Sequence, residues 1–153
     1  MKYPEYLSSA KRHNQACRVL KEKLESYESD NSQDEKFNNL IISLYYLSGY
    51  IIECSLKFKI FEVFSYNSNI EIDKDECKAL GLNYNSQVKT HNFQTLQNLL
   101  DSKISDVSHI SNQRVINRLS GQWGPEIRYE HRELQYQDVR AFYDHANRFL
   151  KEM

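Results

Sequence analysis

The sequence predicts an all-α protein, a bundle of four or five helices in a single domain that spans residues 1–153. Apolar residues recur at steps of three and four along most of the chain, which is the spacing of one face of a helix. No two segments of alternating apolar residues are joined by the turn residues of a β-hairpin. With 40% apolar residues in 153, the chain has enough apolar surface for one core.

The first predicted helix begins near Pro4 and ends at about residue 28. Proline is favoured in a first helical turn, where its missing N–H leaves no bond unmade. The polar segment SDNSQDE follows, in which Ser32 and Glu35 match a capping box and predict the start of a second helix. The stripe of the first helix consists of Leu7, Ala10, Asn14, Cys17, Leu20, Leu24 and Tyr27.

The second predicted helix, over about 35–65, is the most apolar part of the chain. Its centre reads YYLSGYIIECSLKFKIF, and apolar residues cover much of its circumference, as in a helix packed by several neighbours. Gly49 lies in the middle of this helix, where glycine is about 1 kcal/mol less favourable than alanine. We therefore expect close packing against another element at Gly49.

An ion pair is predicted inside this apolar stretch. Glu53 and Lys57 stand four residues apart in the favourable order, which stabilises an exposed helix by about 0.2–0.5 kcal/mol. A solvated surface pair is one interpretation. In the other, the apolar flanks bury Glu53, and a buried carboxylate then needs a partner to offset its desolvation. We expect Arg128 or His91 to be that partner.

Residues 66–90 are the least periodic part of the chain. They predict an excursion from the bundle rather than a domain boundary. Within them, residues 73–80 predict a short helix that ends at Gly81, since glycine is the usual residue just after a helix.

Three further helices are predicted in the second half of the chain. Thr90 or Asn92 caps the first of them. Another spans about 108–119 and is closed by Gly121, and the terminal helix spans about 137–151. Between the last two, the segment GQWGPEIRYE interrupts helical structure through its glycine and proline.

This interrupting segment carries three candidate binding residues. Trp123 is expected to cap the core, and Arg128 with Tyr129 is expected to lie against the second helix near Glu53. His91, just before a predicted helix, is expected to contact a helix N-terminus or a neighbouring carboxylate. These residues are candidates for either structural or binding roles.

Motifs and charge exclude several classes of protein. The glycines are isolated, so there is no phosphate-binding loop, and HExxH, paired CxxC and nucleophile-elbow motifs do not occur. We therefore predict no metal site and no cofactor. A formal net charge of −1 gives no basic excess for a nucleic acid or a membrane surface. No signal peptide or membrane span is expected, and three widely spaced cysteines favour reduced thiols and a cytoplasmic protein.

The sequence contains an ordered set of residues: Gly49-Tyr50, Glu53-Cys54, Leu56-Lys57, His91, Phe93, Leu96, Trp123, Pro125 and Arg128-Tyr129. This set resembles small bacterial members of the HEPN superfamily over about residues 37–150. The resemblance implies a HEPN-like helical bundle that commonly forms a homodimer. In catalytic members it implies a metal-independent endoribonuclease whose motif is Arg, four to six residues, then His. Other members bind nucleotides or accompany a nucleotidyltransferase in toxin–antitoxin and phage-defence systems.

One pair of residues matches the ribonuclease motif, Arg140 and His145 in RAFYDH. The resemblance implies that His145 exchanges a proton with the RNA 2′-hydroxyl or the leaving oxygen, that Arg140 binds the scissile phosphate, and that Glu53 supports them. Five residues turn a straight helix by about 500°, so the two side chains lie roughly 140° apart. The length of the Arg140 side chain, or a homodimer that brings two copies together, would be needed for a shared site. The alternative is that both are ordinary residues of the terminal helix.

Two functions are consistent with these residues. In the first, the protein is a HEPN ribonuclease or toxin-like effector, with Arg140 and His145 from both chains of a homodimer at a shared cleft. In the second, it is a non-catalytic HEPN module that binds RNA, a nucleotide, or a partner protein such as a nucleotidyltransferase or an antitoxin. The binding surface in that case surrounds Glu53, Lys57, His91 and Arg128.

Overall fold

The computed structural model describes residues 1–27 and 34–153, and all regular structure within these ranges is helical. The predicted all-α class is therefore confirmed. A π turn (Tyr84–Val88) and a 3₁₀ turn (Pro125–Tyr129) lie among the α-helices of these ranges. Those helices are α1 (Pro4–Glu25), α2 (Glu35–Val63), α3 (Lys74–Ala79), α4 (Phe93–Asp101), α5 (Arg114–Gln122) and α6 (Tyr136–Leu150).

The centre of the bundle is α2, against which α1, α4 and α6 pack. Every residue of α2 from Ile51 to Phe58 is buried. Its length and apolar composition would fit a membrane span, contrary to the expectation from its charges, but 61% of that stretch is buried inside the protein. Its surroundings are those of a core helix.

The first two helices lie close to their predicted positions. Pro4 stands in the first turn of α1, as expected, and α1 ends at Glu25 rather than near residue 28. Asp34 caps α2 by accepting a hydrogen bond from the Lys36 N–H at 3.1 Å. The predicted capping box includes Ser32, which lies outside the described residues.

The predicted helix over about 108–119 is wrong at both ends, because α5 begins later and Gly121 lies inside its last turn. The preceding segment is held by the buried side chain of Gln97. Its amide donates to the Val107 carbonyl at 2.9 Å and accepts from the His109 N–H at 3.0 Å. Because these bonds use backbone groups that a helix would need, the segment stays non-helical.

The excursion at residues 66–90 packs onto the bundle. Asp73 caps α3 by accepting from two backbone N–H groups. Gly81 follows α3 with φ +78°, the left-handed conformation that favours glycine, and so ends the short helix as predicted. Four buried residues join this excursion to the core: Tyr66, Cys77, Leu82 and Val88.

Gly49 in α2 makes room for Trp123. A Cβ on Gly49 would overlap the indole ring, so this position requires glycine. The indole N–H donates to the Tyr46 carbonyl at 3.1 Å, and the ring stacks on Phe93 with 4.9 Å between ring centres. The predicted close packing at Gly49 and the predicted cap on the core by Trp123 are both confirmed.

Candidate functional site

The charged pair in α2 is buried. Glu53 and Lys57 are only 3% and 5% exposed, and Lys57 Nζ donates to Glu53 Oε1 at 2.7 Å. The interpretation of a solvated surface pair is therefore wrong. Inside the protein both side chains lose their hydration, so each charge depends on the other for compensation.

His91 is the second partner of Glu53. Its Nδ1 lies 2.8 Å from Glu53 Oε2, and its side chain is 47% exposed. A carboxylate only accepts hydrogen bonds, so His91 Nδ1 carries a proton, and in the corresponding neutral tautomer Nε2 is an acceptor. The prediction that Glu53 contacts Arg128 or His91 is confirmed for His91. We call Glu53, Lys57 and His91 the charged triad.

Two neutral side chains, Tyr6 and Cys54, lie close to Glu53 and Lys57. The Lys57 ammonium lies 5.8 Å from the centre of the Tyr6 ring, a cation–π distance. Burial, with a contribution from nearby Tyr84, raises the pKa of the Tyr6 hydroxyl. Burial also raises the pKa of the Cys54 thiol to about 11. Both groups therefore stay protonated and neutral at pH 7.

Aromatic rings form a continuous, partly exposed surface beside the triad. Tyr50 lies at its centre, with ring centres 5.0 Å from Tyr46, 5.5 Å from His13 and 6.4 Å from His91. Burial raises the pKa of the Tyr50 hydroxyl, and its hydrogen bond with Tyr46 adds to this effect. Burial lowers the pKa of His13, as does nearby Arg12. At neutral pH these two rings are uncharged.

Arg128 and Tyr129 extend this surface from the 3₁₀ turn. Arg128 Nη1 donates to the Tyr46 hydroxyl at 3.4 Å, and the guanidinium lies over the Tyr129 ring at 4.7 Å. The Tyr129 side chain is 80% exposed. Arg128 is not held by Glu53, the other alternative considered, because Lys57 and His91 already engage both oxygens of that carboxylate. We call the whole surface the aromatic–basic face: His13, Tyr46, Tyr50, His91, Arg128 and Tyr129.

Arg140 and His145, the predicted catalytic pair, are engaged by different groups. Arg140 Nε lies 3.7 Å from Glu25 Oε1 and 3.9 Å from Asp144 Oδ2. His145 Nε2 donates to the His109 carbonyl at 2.7 Å. Both side chains already have partners within the chain, and those partners differ, as expected from their separation around the helix.

A second buried polar cluster, between α4 and α5, was not predicted. Gln97 is fully buried, and His109 is 5% exposed. Burial lowers the pKa of His109 to about 4, and nearby His145 adds to this effect. His109 is therefore neutral at pH 7. In the sequence it stands in a polar segment, SDVSHISNQ, and no local pattern indicates its burial. The structure places it against two residues of α4, Gln97 and Phe93.

The fold and the site define a small helical protein whose longest helix holds the buried pair Glu53–Lys57, which contacts the half-exposed His91 beside an aromatic–basic face. Among residues 1–27 and 34–153, no group of three or more His, Cys, Asp or Glu side chains could hold a metal ion. No protein-family model, curated protein or solved structure matches the chain.

Proposed function

We propose that this protein is a HEPN-like helical module that binds RNA or a nucleotide on the aromatic–basic face. The observation that carries the proposal is the unbroken run of side-chain contacts from His91 through Tyr50 and Tyr46 to Arg128. Exposed aromatic rings stack on bases, and an arginine guanidinium binds phosphate oxygens in a planar, bidentate manner. The face offers both kinds of contact on one surface.

The charged triad supports this face from inside the bundle. Glu53 fixes the Nδ1 side of the His91 ring, so that Nε2 is available to accept a hydrogen bond from a ligand. A ribose 2′-hydroxyl or a base N–H is a suitable donor. Lys57 balances the carboxylate charge, which lets Glu53 hold the ring without a net buried charge.

The resemblance also predicts RNA cleavage by Arg140 and His145. It further predicts a homodimer and a partner protein such as a nucleotidyltransferase or an antitoxin. All three stay predictions. Two observations favour binding over turnover. Acidic groups of Glu25 and Asp144 flank Arg140 and would compete with a phosphate. His145 uses Nε2 on a backbone carbonyl, so that nitrogen is not available to a substrate in this arrangement.

Arg128→Ala is expected to weaken the binding of a labelled single-stranded RNA by about 10- to 100-fold, measured by fluorescence anisotropy. A charged hydrogen bond contributes about 1.5–3 kcal/mol. Tyr129→Ala is expected to have a similar effect, since stacking on a base contributes about 1–3 kcal/mol. Arg118→Ala is the matched control, because Arg118 is exposed, paired with Asp138 and outside the face.

The same preparation separates binding from cleavage. Wild type and His145→Ala are incubated with structured and single-stranded RNA in EDTA. Cleavage that His145→Ala abolishes would establish the ribonuclease, whereas cleavage unchanged in the variant would reject the Arg140/His145 site. The binding proposal itself fails if Arg128→Ala and Arg118→Ala have the same RNA affinity, or if wild type binds neither RNA nor nucleotide.

A further inference from the structure

A cleft of about 350 Å³ lies between the N-terminal end of α4 and the C-terminal half of α5. Its volume is at the lower end of the range of about 300–1,000 Å³ that small-molecule sites occupy. None of its lining residues is Lys, Arg, Asp or Glu. It therefore suits a small ligand without charge, unlike the aromatic–basic face with its arginine.

His109 lines this cleft with a defined tautomer. The side-chain nitrogen of Gln97 donates to Asp101 Oδ1 at 2.6 Å and to the Val107 carbonyl at 2.9 Å, which fixes the orientation of the amide. Gln97 Oε1 must then accept from the His109 N–H at 3.0 Å and from His109 Nδ1 at 2.8 Å. Nδ1 carries the proton, and Nε2 is an acceptor for which the described part of the chain offers no partner.

Besides His109 Nε2, the cleft has a hydroxyl group and two aromatic rings in its lining. Ser120 lines the same cleft, and its Oγ is buried without a hydrogen-bond partner in the described ranges. Buried hydroxyls are nearly always satisfied, so an unsatisfied one next to an open cleft points to a missing partner. Phe93 and Trp123, stacked with an interplanar angle of 15°, form an aromatic wall.

We propose that this cleft binds a neutral planar heterocycle of the nucleobase type. An N–H of the ligand, on the ring or on an exocyclic amine as in adenosine, donates to His109 Nε2, and a carbonyl oxygen or ring nitrogen accepts from Ser120 Oγ. Because burial lowers the pKa of His109 to about 4, the imidazole stays an acceptor at neutral pH. The cleft does not depend on RNA binding by the aromatic–basic face, and its ligand comes either as a free nucleoside or as one base of an RNA strand.

The test follows the fluorescence of Trp123, the only tryptophan in the chain, during titration with adenosine. Adenosine is expected to change the emission, and Ser120→Ala is expected to weaken its affinity about tenfold, the effect of one hydrogen bond. This variant should fold normally because the hydroxyl has no protein partner. Ser8→Ala, which removes an exposed hydroxyl from α1, is the matched control.

His109→Asn tests adenosine binding to the cleft through a second residue. Asparagine can keep the donor to Gln97 Oε1 while it removes the Nε2 acceptor, so adenosine affinity should fall with little change in the thermal unfolding midpoint. An oligoadenylate titration identifies the source of the base: a response that Ser120→Ala abolishes assigns a strand base to the cleft, and a response to adenosine alone assigns a free nucleoside.

Three results would overturn the proposal. The first is an unchanged Trp123 emission up to millimolar adenosine. The second is equal adenosine affinity in wild type, Ser120→Ala and His109→Asn. The third is tighter binding of inorganic phosphate than of adenosine, since an uncharged lining does not favour an anion. Arg128→Ala separates the two sites, because Arg128 belongs to the aromatic–basic face and does not line the cleft. This variant should keep the adenosine affinity of wild type, so failure of one site is distinguishable from failure of the other.

Discussion

Glu53 is the residue on which the polar interior of α2 depends. Its carboxylate is almost fully buried and engages Lys57 and His91 with separate oxygens. Removal of one partner from a buried pair leaves the other charge uncompensated, which costs about 3–5 kcal/mol. An exposed pair of the same residue types on the same helix contributes about 1 kcal/mol or less.

Glu53→Gln is therefore expected to lower the free energy of unfolding by about 3–5 kcal/mol in urea titrations. Glu62→Gln is the matched control, since Glu62 pairs with Lys59 on the same helix and its side chain is 43% exposed. We expect that control to lose less than about 1 kcal/mol. Equal losses in the two variants would contradict the importance of burial at Glu53.

For single residues, the sequence predicts a contact where a buried group needs a partner. Apolar flanks around Glu53 predict a buried carboxylate that needs a partner, and His91 was one of two candidates. Whether His91 or Arg128 contacts Glu53 depends on the direction in which the 3₁₀ turn points the arginine side chain. The spacing of residues in the sequence does not indicate this direction. His109 is buried against Gln97 and Phe93, which lie twelve and sixteen residues earlier, so its burial has no local signal.

Among the elements, α2 and the 3₁₀ segment are fixed together by the contact of Gly49 with Trp123. Any side chain at Gly49 overlaps the indole, which would have to move and lose its bond to the Tyr46 carbonyl. The same ring also meets Tyr50 edge-on at 5.0 Å between ring centres. Packing at this glycine therefore positions part of the aromatic–basic face.

Gly49→Ala is expected to lower the free energy of unfolding by about 1–3 kcal/mol, the usual cost of overpacking a filled core. Gly121→Ala is the matched control, because nothing lies near a Cβ added there, and alanine in a helix is about 0.4–1 kcal/mol more stable than glycine. The two variants should shift the urea midpoint in opposite directions. A midpoint raised by Gly49→Ala would contradict the packing described for Trp123.

The positions of helices could be predicted where local signals, such as caps and apolar stripes, determine them. Asp73 and Gly81 bracket α3 as expected, and Asn92 caps α4 as one of two candidates. The start of α5 was not predictable, because a side chain from another helix, Gln97, holds the preceding backbone. Tertiary hydrogen bonds override local propensity there.

In the whole molecule, one long helix serves both the core and the proposed binding surface. Its apolar faces are covered by α1, α4 and α6, while Glu53, Tyr46 and Tyr50 connect it to polar groups at the surface. The formal net charge of −1 supplies no long-range attraction for RNA. Binding would therefore depend on local stacking and on Arg128, which the sequence alone could not place beside Tyr46.

We propose that RNA contacts the aromatic–basic face, and photocrosslinking locates that contact. Single-stranded RNA containing 4-thiouridine is bound to the full chain and irradiated, and the crosslinked residues are located by mass spectrometry. We expect crosslinks at Tyr46, Tyr50 or Tyr129, and their loss in Arg128→Ala. Crosslinks confined to α6 around Arg140 and His145, with none on the face, would contradict RNA binding at the aromatic–basic face.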